Sequence, residues 1–200
     1  MKGFAKVGVV VLFAAGLLFV SSAPTLAGEP TDAIRSAIDR GVEILKTAKL
    51  NDTKERAQVI DRLRPIVYPL FDFREMGQRS LGPQWRSISA DQQNEFVTVF
   101  TKLLETSYAD KIVLYEGQQV LYSGETMDGD FATVSTWLIA KDKQKYSVVY
   151  RVHKVDGKWR IYDVVVEDIS LVNNYREQFR RALSKGSFGQ LLATMKEKSA

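Results

Sequence analysis

There is no cysteine among the 200 residues, and only one histidine, His153. The first absence excludes disulfide scaffolds, cysteine-ligated zinc sites and thiol enzymes. The second leaves a histidine triad or metal cluster without partners. His153 stands between Arg151 and Arg160 on a strand face that reads as polar, so it is expected on the surface. No G-x-S-x-G elbow and no Walker loop occurs. Neither catalytic residues, nor a metal, nor a cofactor is expected. Proline is scarce, with five residues, and each should mark a break or a turn. Strong charge of one sign is missing as well. The formal net charge is +4, too mild to argue for nucleic acid, yet compatible with anionic lipid surfaces or acidic partners.

What is present begins with a hydrophobic run. Lys2 and Lys6 precede an uncharged stretch from Val7 to Val20, followed by Ser21, Ser22, Pro24 and Thr25-Leu26-Ala27. This is the pattern of a secretory signal peptide cleaved near Ala27. The run is short of the roughly 20 residues that span a bilayer. The expected division is a signal peptide over 1–27 and a single domain over 28–200. Losing Lys2 and Lys6 lowers the formal charge from +4 to +2. The hydrophobic fraction of 45% argues against a long disordered tail and for a real core.

Helices are expected first. Thr31 is a candidate N-cap for a stripe of Ile34, Ile38 and Leu45. Asp52-Thr53-Lys54-Glu55 resembles a capping box ahead of Ile60, Leu63 and Val67. Pro65 should kink or end that helix, and Pro69 closes the region. Asp72 and Glu75 open a short helix carrying Phe73 and Met76, stopped by Gly82-Pro83. Ser89 and Gln92 open the most regular helix, with Phe96, Phe100, Leu103, Leu104 and Tyr108 on one face.

From Ile112 the apolar period changes to two. Four strands are expected over 112–125, 131–141, 145–155 and 158–168, with turns at Asp128-Gly129, Lys143-Gln144 and Asp156-Gly157. Two capped helices follow, from Ser170 and from Ser187-Gln190. The fold class is therefore α+β: N-terminal helices, a four-stranded antiparallel sheet and two C-terminal helices.

Two-residue turns set a register. They place Val120, Tyr122, Phe131, Trp137, Ile139, Val148, Tyr150, Val152, Trp159 and Ile161 on one apolar face, and Asp163 on that face opposite Tyr150. By pattern this face reads first as a filled core and second as a ligand cavity under proline-broken helices. Asp163 reads first as a structural hydrogen-bonding group and second as a raised-pKa base of a small enzyme on a cone-shaped sheet. Arg176, Arg180 and Arg181 read first as a solvated helix face, and second as a contact for phosphate head groups or an acidic docking partner.

Several segments together resemble the MlaC, or toluene-tolerance auxiliary, family. They are Phe71-Asp72-Phe73-Arg74-Glu75-Met76 with Leu81-Gly82 and Trp85, Gly157 to Val164, and Glu167 to Val172. Asn174-Tyr175-Arg176, Gln178-Phe179 and Gly189 to Leu192 continue the likeness, which covers about Thr31 to Lys196. Asp168 stands where the family often has glycine. The resemblance implies a periplasmic phospholipid shuttle with helices and sheet enclosing an apolar pocket. Implied partners are a phospholipid ligand, the MCE-domain subunit of an inner-membrane ABC transporter and an outer-membrane lipoprotein complex. Implied too are transient membrane-surface contact and a role in outer-membrane lipid asymmetry. Under this reading the tails contact Val120, Tyr122, Trp137, Ile139, Val148, Tyr150, Val152, Trp159 and Ile161 from the sheet. Phe96, Phe100 and Leu103 close the pocket from the helices, with Phe73 and Met76 near an opening. A hopanoid or another apolar lipid is the alternative ligand.

Overall fold

A computed structural model describes residues 28–48, 53–112 and 117–199. The expected signal peptide, the Asp52 cap and the 113–116 part of the expected first strand lie outside the described residues. The chain forms α1 (Glu29–Lys46), α2 (Thr53–Val67), a 3-10 turn (Tyr68–Leu70), α3 (Phe73–Leu81), a second 3-10 turn (Gly82–Ser87) and α4 (Ala90–Ile112). Then come β1 (Gln119–Asp128), β2 (Phe131–Ile139), β3 (Lys145–Val155), β4 (Lys158–Val166), β5 (Ile169–Ser170), α5 (Leu171–Leu183) and α6 (Phe188–Lys198). This is the expected α+β class. The antiparallel sheet has order β1-β2-β3-β4-β5, so a two-residue strand joins the four expected. Among the described residues no helix is long and apolar enough to cross a membrane.

Local chemistry explains most helix starts. Ser89 Oγ accepts from Gln92 N at 3.2 Å while Ser89 N donates to Gln92 Oε1 at 2.9 Å. The same reciprocal box joins Ser187 and Gln190. Asp72 Oδ1 accepts from Glu75 N, and Ser170 Oγ from Asn173 N. Gly82, at φ +62°, ends α3 in a conformation that suits glycine. Two expectations differ. Helix α1 starts at Glu29, because Pro30 fits the first turn, with Gly28 as its N-cap. Thr31 is buried instead, and its N and Oγ1 donate to Glu125 of β1. Helix α2 continues through Pro65 to Val67 and then tightens into the 3-10 turn.

The sheet register departs from two-residue turns in three places. The β2–β3 connection spans Ala140 to Gln144, with Ile139 paired to Lys145. That odd shift moves Phe131, Trp137 and Ile139 to the opposite face, because side chains alternate along a strand. A bulge between Tyr122 and Gly124 reverses parity again, so Val120 and Tyr122 keep the expected face. A second bulge at Tyr162 lies between the pairs Val152–Ile161 and Arg151–Asp163. Asp163 therefore pairs with Arg151, not Tyr150, and leaves the apolar face. The Asp156-Gly157 hairpin forms as expected, with φ +50° and +75°.

Two apolar clusters result. One joins α3, α4, α5, α6 and the second 3-10 turn around Phe96, Phe100, Phe179 and Tyr175. The other packs Ile34 of α1 on Ala132, Val134, Val152, Trp159 and Ile161 of the sheet.

Candidate functional site

A cavity of about 690 Å³ lies between these clusters. Its walls come from Ile60, Leu63 and Val67 of α2, Thr101, Leu104 and Tyr108 of α4, and Leu171 and Tyr175 of α5. Phe71, Phe73 and Met76 form one end, and Val164 and Val166 of β4 form the sheet side. The Tyr162 bulge makes that last contribution possible. Past it, Val164 and Val166 turn toward the helices while Asp163 and Val165 turn away. The freed strand also receives the chain before α3: Phe71 bridges to Ile161, and Asp72 N donates to Ile161 O at 2.8 Å.

Three apolar side chains on the cavity are exposed: Tyr68, Val166 and Ile169, the last at 62%. They mark a mouth. Soluble chains seldom leave adjoining apolar groups in water unless something covers them. Beside the mouth stands a charged group. Arg64 of α2 donates from Nε at 2.8 Å and Nη2 at 2.9 Å to the two carboxylate oxygens of Glu105 on α4. Tyr68 Oη donates to Glu105, Lys102 reaches it at 3.1 Å, and Arg64 Nη1 donates to Asp61. The Arg64 hydrogen bond holds the Glu105 carboxyl at about 2, well below its ordinary value. Burial, then the Glu105 contact, pushes the Tyr68 phenol up to about 12.

The sequence-predicted residues divide into six groups. Phe73 and Met76 line the cavity as expected. Phe96, Phe100 and Leu103 do not. The two rings stack at 5.7 Å inside the helical cluster, and Leu103 is buried with them. On the sheet, Tyr150 pairs with Val164 and Val148 with Val166, directly beside the wall. Val152 and Ile161 are packed under α1, as is Trp159, whose Nε1 donates to Glu29. Val120 and Tyr122 line a second cavity of about 650 Å³ between α1 and β1. Trp137 and Ile139 lie on the far face, Trp137 being 38% exposed. The α2 wall was visible in sequence as the Ile60–Leu63–Val67 stripe. The α4 wall continues the Phe96–Phe100 stripe to Leu104 and Tyr108. Nothing in the sequence separated the buried half of that stripe from the hollow half.

The two polar candidates also settle. Asp163 accepts from Ser170 Oγ at 2.7 Å, Val172 N at 3.0 Å and Arg151 Nη1 at 3.2 Å. It thereby ties β4 to the start of α5, a structural role with partners other than Tyr150. His153 is not a surface residue. Its side chain is 14% exposed, with Nε2 3.0 Å from Asp72 Oδ2 and rings of Phe131 and Tyr162 on its sides. Among the described residues no cluster of three or more metal-ligating side chains occurs.

With this geometry in view, three similarities bear on the chain. The family model described as MlaC protein matches residues 35–197. The "Intermembrane phospholipid transport system binding protein MlaC" of Haemophilus influenzae (strain ATCC 51907 / DSM 11121 / KW20 / Rd) is 24% identical over 143 residues, covering 69% of this chain and 67% of that protein. The "Toluene tolerance protein ttg2D" of Pseudomonas putida is 23% identical over 180 residues, covering 89% and 82%. A phospholipid-binding protein from Ralstonia solanacearum, solved in complex with a phospholipid, superposes with a TM-score of 0.75 at 23% identity, covering 86% of this chain and 97% of that one. That likeness establishes the shared fold. With a family model spanning most of its length, the chain belongs to the MlaC family.

Proposed function

We propose that this chain is a periplasmic carrier that binds a phospholipid by its acyl chains and shuttles it between membranes. The observation that carries the reading is the apolar cavity with an apolar mouth, in the fold of a relative solved with phospholipid. Burying each CH₂ stabilises by about 0.8 kcal/mol, so two acyl chains amount to on the order of 20 kcal/mol. A free lipid therefore crosses water far too rarely. A protein cavity need only match the bilayer, so tails can pass between the two environments at little net cost.

The tails rest on Leu63, Val67, Phe73, Met76, Leu104, Tyr108, Val164 and Val166, with Val148 and Tyr150 behind the β4 wall. The head group stays at the mouth. The chain is exported by its first 27 residues. Its partners are the MCE-domain subunit of an inner-membrane ABC transporter and an outer-membrane lipoprotein complex, and its role is to maintain outer-membrane lipid asymmetry. The names of the relatives support this setting, since one belongs to an intermembrane phospholipid transport system. Transport direction is imposed by a partner, because transfer between two apolar environments has little bias of its own. Purifying the mature protein natively, extracting it with organic solvent and identifying the extract by mass spectrometry tests the reading. Stoichiometric phospholipid is expected; a hopanoid would redirect it, and no lipid would contradict it.

A further inference from the structure

The largest charged group on the mostly apolar cavity lining is the one around Glu105, and it has an unusual arrangement. A guanidinium at the edge of a lipid cavity is well suited to grip a phosphate through paired N–H donors. Arg64 is on the cavity wall with its side chain 40% exposed, placed where such a grip would form. Its fork is already filled. Nε and Nη2 donate to both oxygens of Glu105, and Nη1 donates to Asp61. Glu105 is in turn fixed by Tyr68 Oη and Lys102, and its side chain is only 12% exposed. Two cations and two carboxylates thus close on one another and carry no net charge. Across the mouth, Glu167 adds a negative charge, with Oε1 accepting from Ser147 N.

We infer that Glu105 is a specificity-determining residue: by occupying the Arg64 fork it prevents phosphate capture and makes the cavity indifferent to head-group charge. The inference rests on the carrier reading above and names what that site does not select. A carrier that gripped each phosphate would gain affinity at the mouth and lose ease of release. Quenching the guanidinium leaves the tails as the basis of recognition. The Arg64 hydrogen bond holds the Glu105 carboxyl well below its ordinary value, so the quench is in place at neutral pH.

The test offers delipidated protein equimolar phosphatidylglycerol and phosphatidylethanolamine in mixed vesicles and identifies the bound lipid by mass spectrometry. Unmodified protein should take both within about twofold of their supply, and Arg64→Gln, which leaves the Glu105 carboxylate without its guanidinium, should not raise the share of phosphatidylglycerol. Glu105→Gln, which keeps the size but removes the charge, frees the guanidinium for a phosphate. Both lipids carry one, but the ethanolamine ammonium is repelled by the unquenched cation, so the ratio should shift toward phosphatidylglycerol by about fivefold or more. Arg64→Gln added to it should cancel the shift. If unmodified protein already favours phosphatidylglycerol and Arg64→Gln abolishes the preference, Arg64 grips phosphate and the inference is overturned. An unchanged ratio in lipid-loaded Glu105→Gln overturns it too. Should Glu105→Gln fail to fold, Glu105→Asp, whose shorter side chain loosens the hold on the Arg64 fork, should shift the ratio the same way, and an unchanged ratio there overturns the inference. Failure of unmodified protein to take either lipid would instead overturn the carrier reading, and this inference with it.

Discussion

Helix α4 serves two regions with one apolar stripe, and the regions differ. At Phe96 and Phe100 every side of each ring meets a partner: Phe179 and Tyr175 lie at centroid distances of 5.2–5.8 Å, and Trp85 and Phe188 close in at 6.4 and 6.2 Å. Two turns later Leu104, at the edge of that cluster, and Tyr108 border the cavity. The residue types hardly change between the two ends. What changes is the opposing element. Helices α3, α5 and α6 pack tightly on the first half, whereas α2 faces the second half across the cavity, joined to Glu105 by its own Arg64 and by Tyr68 of the 3-10 turn that follows it. Apolar character marks a surface that water leaves, but only its neighbours decide whether side chains or a ligand replace the water.

Substitutions can widen or erase that contrast. The largest effect is expected in the filled half. Phe96→Ala should cost about 3–5 kcal/mol, because a rigid aromatic cluster cannot collapse into the space left behind. Urea unfolding measures it, and a loss under about 1 kcal/mol would mean the cluster is loosely packed. Asp163→Asn comes next. It weakens a buried carboxylate with three donors and should cost about 1–3 kcal/mol while leaving bound lipid unchanged. Loss of lipid with no loss of stability would instead favour a direct role for Asp163 in binding.

In the hollow half the balance should invert. Val164→Trp extends into existing space, so the melting temperature should move by only a few degrees. Lipid recovered from the purified protein should fall at least tenfold, about 1.4 kcal/mol of affinity. Val152, 1% exposed beneath α1, is a poor site for the same test, since a charge placed there would unfold the domain.

Acid offers a smaller effect. The Glu105 carboxyl sits at about 2 when folded and at its ordinary 4.5 otherwise. A depressed folded value contributes stability that is complete above about pH 4.5 and is lost as pH falls toward 2. Glu105→Gln should therefore narrow the stability difference between pH 6 and pH 3, read by urea unfolding at each pH. An unchanged difference would show that the contact adds nothing to the fold. Smallest of all, Leu121→Ser on the far face of the sheet, at a side chain 51% exposed, should change both stability and lipid content within about 0.5 kcal/mol.

The contrast between the two halves also locates what could be read in advance. Caps at Asp72, Ser89, Ser170 and Ser187 were legible because each depends on residues three apart, and the order of elements followed from them. The sheet faces were only half legible. A five-residue connection at Ala140 to Gln144 and bulges at Ser123 and Tyr162 each flip alternation, and no local pattern announces them. Phe131, Trp137 and Ile139 therefore lie on the face opposite to the one that simple alternation predicts, and so does Asp163. The cavity itself was hidden for a different reason. Its walls consist of ordinary core residues, and it exists because α2 stands away from α4, a tertiary fact without a local signature.

The central claim is that lipid tails occupy the space between α2, α4 and β4. The most direct measurement loads the protein with a phospholipid bearing a photoactivatable group at the end of one acyl chain, irradiates it and maps the crosslinked peptides by mass spectrometry. Crosslinks at Leu63, Val67, Leu104, Tyr108 or Val164 are predicted. Crosslinks concentrated on Leu121, Phe131 or Trp137, on the far face of the sheet, would contradict the account.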